Sequence, residues 1–464
     1  MDAVTLNRFS KFIHSPYFNK NQKITSLFDI THNDLKKGNA VKSKETLWTM
    51  VGFADGYKDI KFRKLCNDLV ALYEEFLTVE QLLDDEMLKS NLLINGIKQN
   101  DSQILIEKHI SKSNNIFDRI PDKSSDFYLQ KYLNEKTLQN LKTNYEKKED
   151  IKKYINEDIN QELATQLDAF YVIEKLRHAI DIITWSKQYK IEYELDLSET
   201  LRLIDKSGSL NQIPAIRIYY LIYKILTIED SQELYFELRN LAEDHIYMFP
   251  KAEQAEIFDA LFSYCIKWVN IGIEKFLEEY LDLQEWGIKE DFVLKRGILS
   301  PTSFRNYVVI GLRLNEIERV ENYINNNLYL LDDFRQDNAL NFNMARVSWY
   351  KKNFDDVLLY LNQVNYDDIW YNINSRYYLL AAYYELQEYD VLESAMDSFL
   401  AFLRREKSID TKRKKNQILF VNSLKKLLRY QNDKVKLSKF KLEIQEQEGL
   451  INKSWLLEKI EELL

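Results

Sequence analysis

Glycine and proline, the residues that most often interrupt helices, are scarce in this chain. Its 464 residues include 10 Gly and 5 Pro, whereas average proteins contain about 7% Gly and about 5% Pro. Apolar residues instead recur at three- and four-residue spacing, as in Phe62, Leu65, Leu69, Leu72 and Phe76. That spacing places them on one stripe of a helix. The sequence therefore predicts an all-α protein.

The composition argues against several other classes of protein. Hydrophobic residues make up 45% of the chain and aromatic residues 13%, so the chain is not disordered. Two cysteines cannot form a disulfide framework for a chain of this length. The net charge of −9 argues against uniform binding to nucleic acid or to an anionic membrane. Because no signal-peptide pattern or membrane-spanning apolar run is present, we expect a cytoplasmic protein without membrane insertion.

The segment after Pro301 contains an internal repeat of about 35 residues. Its anchors are Ile317, Phe354 and Tyr389, which are 37 and 35 residues apart, and each is followed by an acidic residue. An acid suits the first turn of a helix, where it faces the positive end of the helix dipole. Each anchor has an apolar residue nine positions before it and another seven positions after it: Val308 and Ile324, Ala345 and Leu361, Leu380 and Met396. The pattern predicts a repeated helix-turn-helix unit.

This period and its anchors resemble those of the tetratricopeptide family, over roughly Thr302 to Arg404. The resemblance is to a degenerate form, since the family's small residue in the second helix is replaced by Val320, Val357 and Leu392. It implies a right-handed superhelix of stacked antiparallel helix pairs, an α-solenoid in which each pair buries its apolar stripe against its neighbours. The stretch from Phe9 to Asn19 also resembles bacterial helical-repeat proteins of uncharacterised function.

Breaker residues and composition predict four parts. These are an N-terminal helical domain (1–120), degenerate helical hairpins (121–300), tetratricopeptide-like repeats (301–404), and basic C-terminal helices with a capping helix (405–464). Asn452 is the predicted N-cap of that last helix, and Trp455 is predicted to wedge it against the preceding repeat.

Sequence motifs for catalysis and for cofactor binding are missing. The chain contains no Walker A or GxGxxG pattern, no HExxH pair and no GxSxG elbow, and its 5 histidines are scattered. We therefore predict a protein that is not an enzyme and that has no cofactor or metal site.

The resemblance also implies a set of groove positions on the first helix of each repeat. Six of them form the predicted protein-binding site: Arg305, Phe342, Arg346, Trp349, Tyr377 and Tyr384. Arginine with aromatic residues is typical of interface hot spots, and equally of packing between irregular helices. The first hypothesis is a helical-repeat scaffold that binds an unidentified partner protein.

The second hypothesis is a nucleic-acid-binding protein. Between Arg404 and Lys439 there are 13 Lys and Arg against 3 acids, a local charge of +10. The residues predicted to contact phosphates are Lys412, Lys415, Lys425, Lys426 and Arg429. The helices predicted at Glu45 to Phe53 and Asp59 to Leu77 have the lengths of a DNA-binding helix-turn-helix. A solvated basic face and an ordinary helical hairpin explain the same residues.

Overall fold

The computed structural model describes residues 2–38, 42–99, 103–145, 157–193, 195–365 and 369–464. Over these ranges the fold is all-α, as the spacing of apolar residues predicts, apart from one hairpin of two-residue strands. The chain forms two compact units, Met1–Ile257 and Phe258–Leu464. The finer four-part division stays a prediction.

The first unit is built from helices of very different lengths. They are α1 (Ala3–Ile13), α2 (Gln22–Lys36), α3 (Lys44–Met50), α4 (Asp59–Asp84), α5 (Glu86–Gln99), α6 (Gln103–Arg119), α7 (Ser125–Tyr145), α8 (Glu157–Tyr189), α9 (Ser198–Lys206), α10 (Gly208–Asn211), α11 (Pro214–Thr227) and α12 (Gln232–His245). A 3₁₀ turn, Ile246–Met248, precedes α13 (Lys251–Ile271), in which the first unit ends and the second begins.

Aromatic residues form the core of helices α1 to α4. The ring of Phe9 lies 5.2 Å from Phe28, 5.1 Å from Tyr73 and 5.2 Å from Phe76. The apolar stripe predicted on α4 is confirmed, because Phe62, Leu65, Leu72 and Phe76 are buried. Later in the same unit, α8 packs against α11 through residues at helical spacing that are buried on one side of α8: Ala169, Val172, Ile173, Leu176 and Ala179.

The second unit continues with pairs of helices of more similar length. They are α14 (Glu274–Lys289), α15 (Pro301–Arg313), α16 (Ile317–Asn327), α17 (Asp333–Tyr350), α18 (Phe354–Leu361), α19 (Ile369–Glu385), α20 (Tyr389–Arg405), α21 (Thr411–Tyr430), α22 (Lys434–Glu446) and α23 (Lys453–Leu463), with a 3₁₀ turn at Leu328–Leu330. Between α14 and α15 lie the strands β1 (Leu294–Lys295) and β2 (Ile298–Leu299), paired antiparallel. The sequence pattern did not predict this hairpin. Its turn residues Arg296 and Gly297 both have positive φ, as a type I′ hairpin turn requires.

The predicted repeat anchors each begin a helix. Ile317, Phe354 and Tyr389 are the first residues of α16, α18 and α20, and an acid follows in each first turn. All six flanking apolar positions of the repeat are buried, with exposures of 0% or 1%. The helix-turn-helix unit that the period predicts is therefore present three times in this part of the chain.

One turn geometry joins the two helices of each repeat. The residue two positions before each anchor has a left-handed backbone, with φ of 62° at Asn315, 57° at Lys352 and 59° at Gln387. The next amide donates to the carbonyl five residues earlier at 2.9 Å in all three turns. This is the Schellman arrangement, which satisfies carbonyls at the end of the first helix. It is made here without glycine at the left-handed position.

Helix α23 closes the second unit. Trp455, Leu456 and Ile460 are buried, and the indole Nε1 of Trp455 donates to Glu385 at 2.6 Å. Lys459, whose side chain is 8% exposed, lies 3.0 Å from the same carboxylate. Asn452 occupies the N-cap position, but its φ of 51° is left-handed and its side chain makes no capping bond. The predicted capping interaction is therefore wrong, since a capping side chain needs an extended backbone.

Candidate functional site

The first helices of the three repeats and the helix that follows them line a cleft in the second unit. These helices are α15, α17, α19 and α21. The cleft has a volume of about 480 Å³, within the range of ligand pockets. The described residues that line it are Arg305, Val309, Phe342, Arg346, Trp370, Asn374, Tyr377, Tyr378, Arg413, Asn416, Gln417 and Ile451.

Helical spacing brings these side chains to the cleft. Arg305 and Val309 are four residues apart on α15, and Phe342 and Arg346 are four apart on α17. Residues at this spacing lie on the same face of a helix, one turn apart. Because α17 packs against both α15 and α19, equivalent faces of successive first helices come together. The repeat therefore places an arginine of α15 and an arginine of α17 in one cleft.

Arginine side chains lie over aromatic rings at the cleft wall. The guanidinium carbon of Arg305 is 4.3 Å from the centre of the Trp370 ring. That of Arg346 is 5.9 Å from the centre of the Phe342 ring, which is buried. Cation–π contacts of this kind orient a guanidinium and leave its N–H groups directed along its plane. The rings therefore act as supports that hold the positive charges in place.

Two polar atoms of the cleft lining have no hydrogen-bond partner among the described residues. They are Nε of Arg346 and Oε1 of Gln417, and Gln417 is 3% exposed. A buried polar atom without a partner costs about 1 to 3 kcal/mol. Burial raises the pKa of the Tyr377 phenol well above its ordinary value, so this residue stays neutral. The described lining contains three arginines and no Asp or Glu.

The six residues predicted as the protein-binding site fall into two groups. Arg305, Phe342, Arg346 and Tyr377 line the cleft. Trp349 and Tyr384 instead contact Trp455 of α23, with ring centres 6.0 Å and 5.5 Å apart. This second pair belongs to the packing of the closing helix. That these residues bind a protein stays a prediction. It now concerns the four that line the cleft.

Several residues of the cleft were not predicted from the sequence. Trp370 and Asn374 lie on α19 at seven and three residues before Tyr377, so helical spacing from Tyr377 could have found them. Arg413, Asn416 and Gln417 lie on α21, outside the repeated segment, and no repeat signal points to them. The sequence therefore underestimates both the size and the positive charge of the site.

The predicted basic face lies on α21 as expected, but part of its charge is neutralised by the protein itself. Lys425 pairs with Asp397 at 2.6 Å, and Lys426 pairs with Glu443 at 2.8 Å. Lys412, Lys415 and Arg429 are exposed, and no ion pair with another described residue involves them. Three of the five predicted phosphate-binding residues therefore present their charge to solvent.

The N-terminal helix pair differs from the predicted lengths. Helix α3 has 7 residues and α4 has 26. The basic residues at the start of α4 contact nearby acids, with Lys58 3.1 Å from Asp55 and Arg63 2.7 Å from Asp59. Phe53, in the turn between the two helices, packs against α3: its ring is stacked on that of Trp48, with the ring centres 3.7 Å apart. These contacts favour an ordinary helical hairpin over a DNA-binding helix-turn-helix.

No family model matches the sequence, and neither a curated protein nor a solved structure shows significant similarity to it. The resemblance to tetratricopeptide proteins therefore rests on the internal repeat and its helical hairpins. Among the described helices, none is both long enough and apolar enough to cross a membrane.

Proposed function

We propose that this protein is a non-enzymatic helical-repeat scaffold of the cytoplasm, an α-solenoid that resembles tetratricopeptide proteins and binds another protein through the cleft of its second unit. One observation carries the proposal: three successive first helices and α21 contribute arginine, aromatic and amide side chains to the same cleft. Arginine and aromatic residues are the types enriched in interface hot spots.

The cleft offers the kinds of contact that a polypeptide needs. Val309, Tyr378 and Ile451 provide apolar surface, while Asn374 and Asn416 provide amide groups that can bond a peptide backbone. All of the described lining residues except Ile451 lie on helices, so their side chains are held in place by the packing of those helices. A partner segment would gain affinity because these groups need little rearrangement on binding.

The test is affinity capture of partners by the tagged full-length protein from nuclease-treated native extract. Val309→Trp fills the cleft with a neutral side chain. Val391→Trp is the matched control, since Val391 is exposed on α20 and does not line the cleft. We expect a defined partner to be lost with Val309→Trp and retained with Val391→Trp, while circular dichroism of both variants stays unchanged. Retention of that partner by Val309→Trp would rule out the cleft as its binding site.

The alternative function, nucleic-acid binding, is supported by the exposed charges of Lys412, Lys415 and Arg429. Replacing all three by Glu should abolish binding of an oligonucleotide, and the affinity of the wild type should fall steeply with salt. Lys425 and Lys426 serve as controls, since their charges are already paired. An oligonucleotide that binds the triple variant as tightly as the wild type would exclude this face.

A further inference from the structure

The positive lining of the cleft restricts what can occupy it. We propose that the occupant is an acidic segment of a partner polypeptide, whose side-chain carboxylates are bound by Arg346 and Arg413 and whose backbone is bound by Gln417. This inference rests on the proposed function and specifies the chemistry of the partner.

Charge complementarity is the first argument for an acidic occupant. Arg346 and Arg413 are both partly buried, on different helices, and reach the same cleft. No carboxylate belongs to the described lining, so these residues supply none to offset the two positive charges. Like charges in a concave, partly desolvated site repel one another more strongly than in water, and an anion between them relieves that repulsion. A guanidinium also presents paired N–H groups that match a carboxylate.

The hydrogen-bonding capacity of the cleft is the second argument, and it favours a polypeptide. Nε of Arg346 is a donor and Oε1 of Gln417 is an acceptor, and neither has a partner among the described residues. A fully deprotonated anion such as sulfate can accept from the arginine but has no donor to offer the glutamine. A peptide offers both, because a side-chain carboxylate accepts and a backbone N–H donates. Gln417 is buried, with 3% of the residue exposed, so an acceptor without a partner is costly there.

The apolar wall defines the rest of the occupant. Val309, Tyr378 and Ile451 lie in the same lining as the arginines. A segment in which acidic residues alternate with apolar ones can place a carboxylate on the guanidinium groups and an aliphatic side chain on this wall. A nucleic-acid strand would bring phosphates and planar bases, but no aliphatic side chain to pack on Val309 and Ile451.

The experiment is a fluorescence anisotropy titration of the full-length protein with a labelled peptide that alternates Glu and Leu. The ends of the peptide are blocked, so that its only negative charges are side-chain carboxylates. The comparison peptide has Gln in place of each Glu. We expect the acidic peptide to bind at least about tenfold more tightly than the Gln peptide, since a hydrogen bond to a charged group contributes about 1.5 to 3 kcal/mol.

Matched variants locate the binding. Arg413→Gln should weaken binding of the acidic peptide by about tenfold or more, and so should Arg346→Gln. Arg429→Gln removes the same charge from the same helix α21, outside the cleft, and should change the affinity by less than about twofold. Arg413 lies in the first turn of α21 and is only partly buried, so its variant keeps the test valid even if Arg346→Gln is less stable.

Four results would overturn the inference. The first is no measurable binding of the acidic peptide, and the second is equal binding of the Gln peptide. The third is an Arg429→Gln variant as weak as Arg413→Gln, which would indicate nonspecific attraction. The fourth is displacement of the peptide by citrate or inorganic phosphate at equal concentration, which would indicate a small-anion site. If partner capture is lost with Val309→Trp but retained with Arg346→Gln and Arg413→Gln, the scaffold proposal stands and the acidic-segment inference fails.

Discussion

One constant turn joins the two helices of each repeat, whereas the helices of the first unit end in several different ways. In Phe258–Leu464, the three repeats use one turn, with a left-handed residue at Asn315, Lys352 and Gln387 and the same backbone hydrogen bond after each. In Met1–Ile257, several helices end on extended backbone, as at Asp85, Ser207 and Ile228. A constant turn fixes where each second helix starts, so equivalent faces of the first helices recur at equivalent places. The cleft is a product of that regularity.

A partly buried glutamate has its pKa shifted in opposite directions in the two units. Burial raises the pKa of Glu253 in the first unit, although the Tyr219 hydroxyl donates to it at 2.6 Å. Burial also acts on Glu285 in the second unit, but hydrogen bonds from Arg319 and Tyr307 outweigh it and lower the pKa. These bonds link α14 to α15 and α16. In the second unit, the charged carboxylate thus joins the helix before the repeats to both helices of the first repeat.

The largest effect on stability is expected at α23, the closing helix of the second unit. Lys459→Ala leaves Glu385 without its nearest cation in a site where both side chains are mostly buried. Removing one partner of such a pair should lower the free energy of unfolding by about 3 kcal/mol, as measured by urea denaturation. Lys436→Ala, which breaks the exposed pair with Asp433, is the control and should cost less than about 1 kcal/mol. Equal losses of unfolding free energy in the two variants would show that the buried pair of Lys459 with Glu385 contributes no more than an exposed pair.

The same substitution should have opposite effects in the two units. Gly311→Ala places a methyl group against the buried side chain of Val320, and overpacking of this kind costs about 1 to 3 kcal/mol. Gly96→Ala, in α5, meets no described atom within 4 Å, so it should stabilise the first unit by up to about 1 kcal/mol through helix propensity. Thermal unfolding, measured by circular dichroism, shows whether each substitution raises or lowers the melting temperature. A stabilising Gly311→Ala would show that the helix packing in the first repeat is loose.

A smaller, stabilising effect tests the shared turn. Gln387 is exposed and has a φ of 59°, a conformation that glycine adopts without the strain of a side chain. Gln387→Gly should therefore raise the free energy of unfolding by about 0.5 to 1 kcal/mol. The neighbouring Glu388→Gly, at a φ of −80°, should lower it instead. If both substitutions lower the free energy of unfolding by similar amounts, the left-handed backbone at Gln387 does not strain its side chain.

The smallest effect is the response of each unit to acid. The pKa of Glu285 is lowered from 4.5, so its stabilising contribution is present above about 4.5 and is lost as the pH falls through its folded value. The pKa of Glu253 is raised from 4.5, so its contribution is greatest below 4.5 and is lost as the pH rises through its folded value. Hydrogen exchange of the full chain, corrected for intrinsic rates, should show α15 and α16 losing protection in acid. Glu285→Gln should remove that loss, and an unchanged acid response in this variant would assign it to other groups.

The parts of the fold that the sequence predicts are those that depend on local spacing. The anchors Ile317, Phe354 and Tyr389 could be placed at helix starts because an acid and a helical stripe lie within a few residues of each. The hairpin at Arg296 and Gly297 could not, because a turn with positive φ at both positions usually carries Asn or Asp before Gly. The local pattern thus locates the repeats but misses the hairpin that precedes the first of them.

The cleft could be predicted only in part, because its other residues arrive through long-range packing. Helix α21 reaches the site through the contact of Phe420 with Tyr377, whose ring centres are 4.9 Å apart. Ile451 comes from the turn before α23. Trp349 has the groove spacing of its repeat, yet α23 returns and places Trp455 against it. No spacing within one repeat encodes where a later helix packs.

The matching turns divide this part of the chain into units that can be removed or added whole. Asn315, Lys352 and Gln387 stand at equivalent points with equivalent backbone geometry. Joining the codon of Asn315 directly to that of Asn353 would delete one whole helix pair, and the resulting junction would still read as a left-handed residue followed by a helix start. Deletions or insertions made at these points would shorten or lengthen the array by complete helix pairs, without the redesign of any helix.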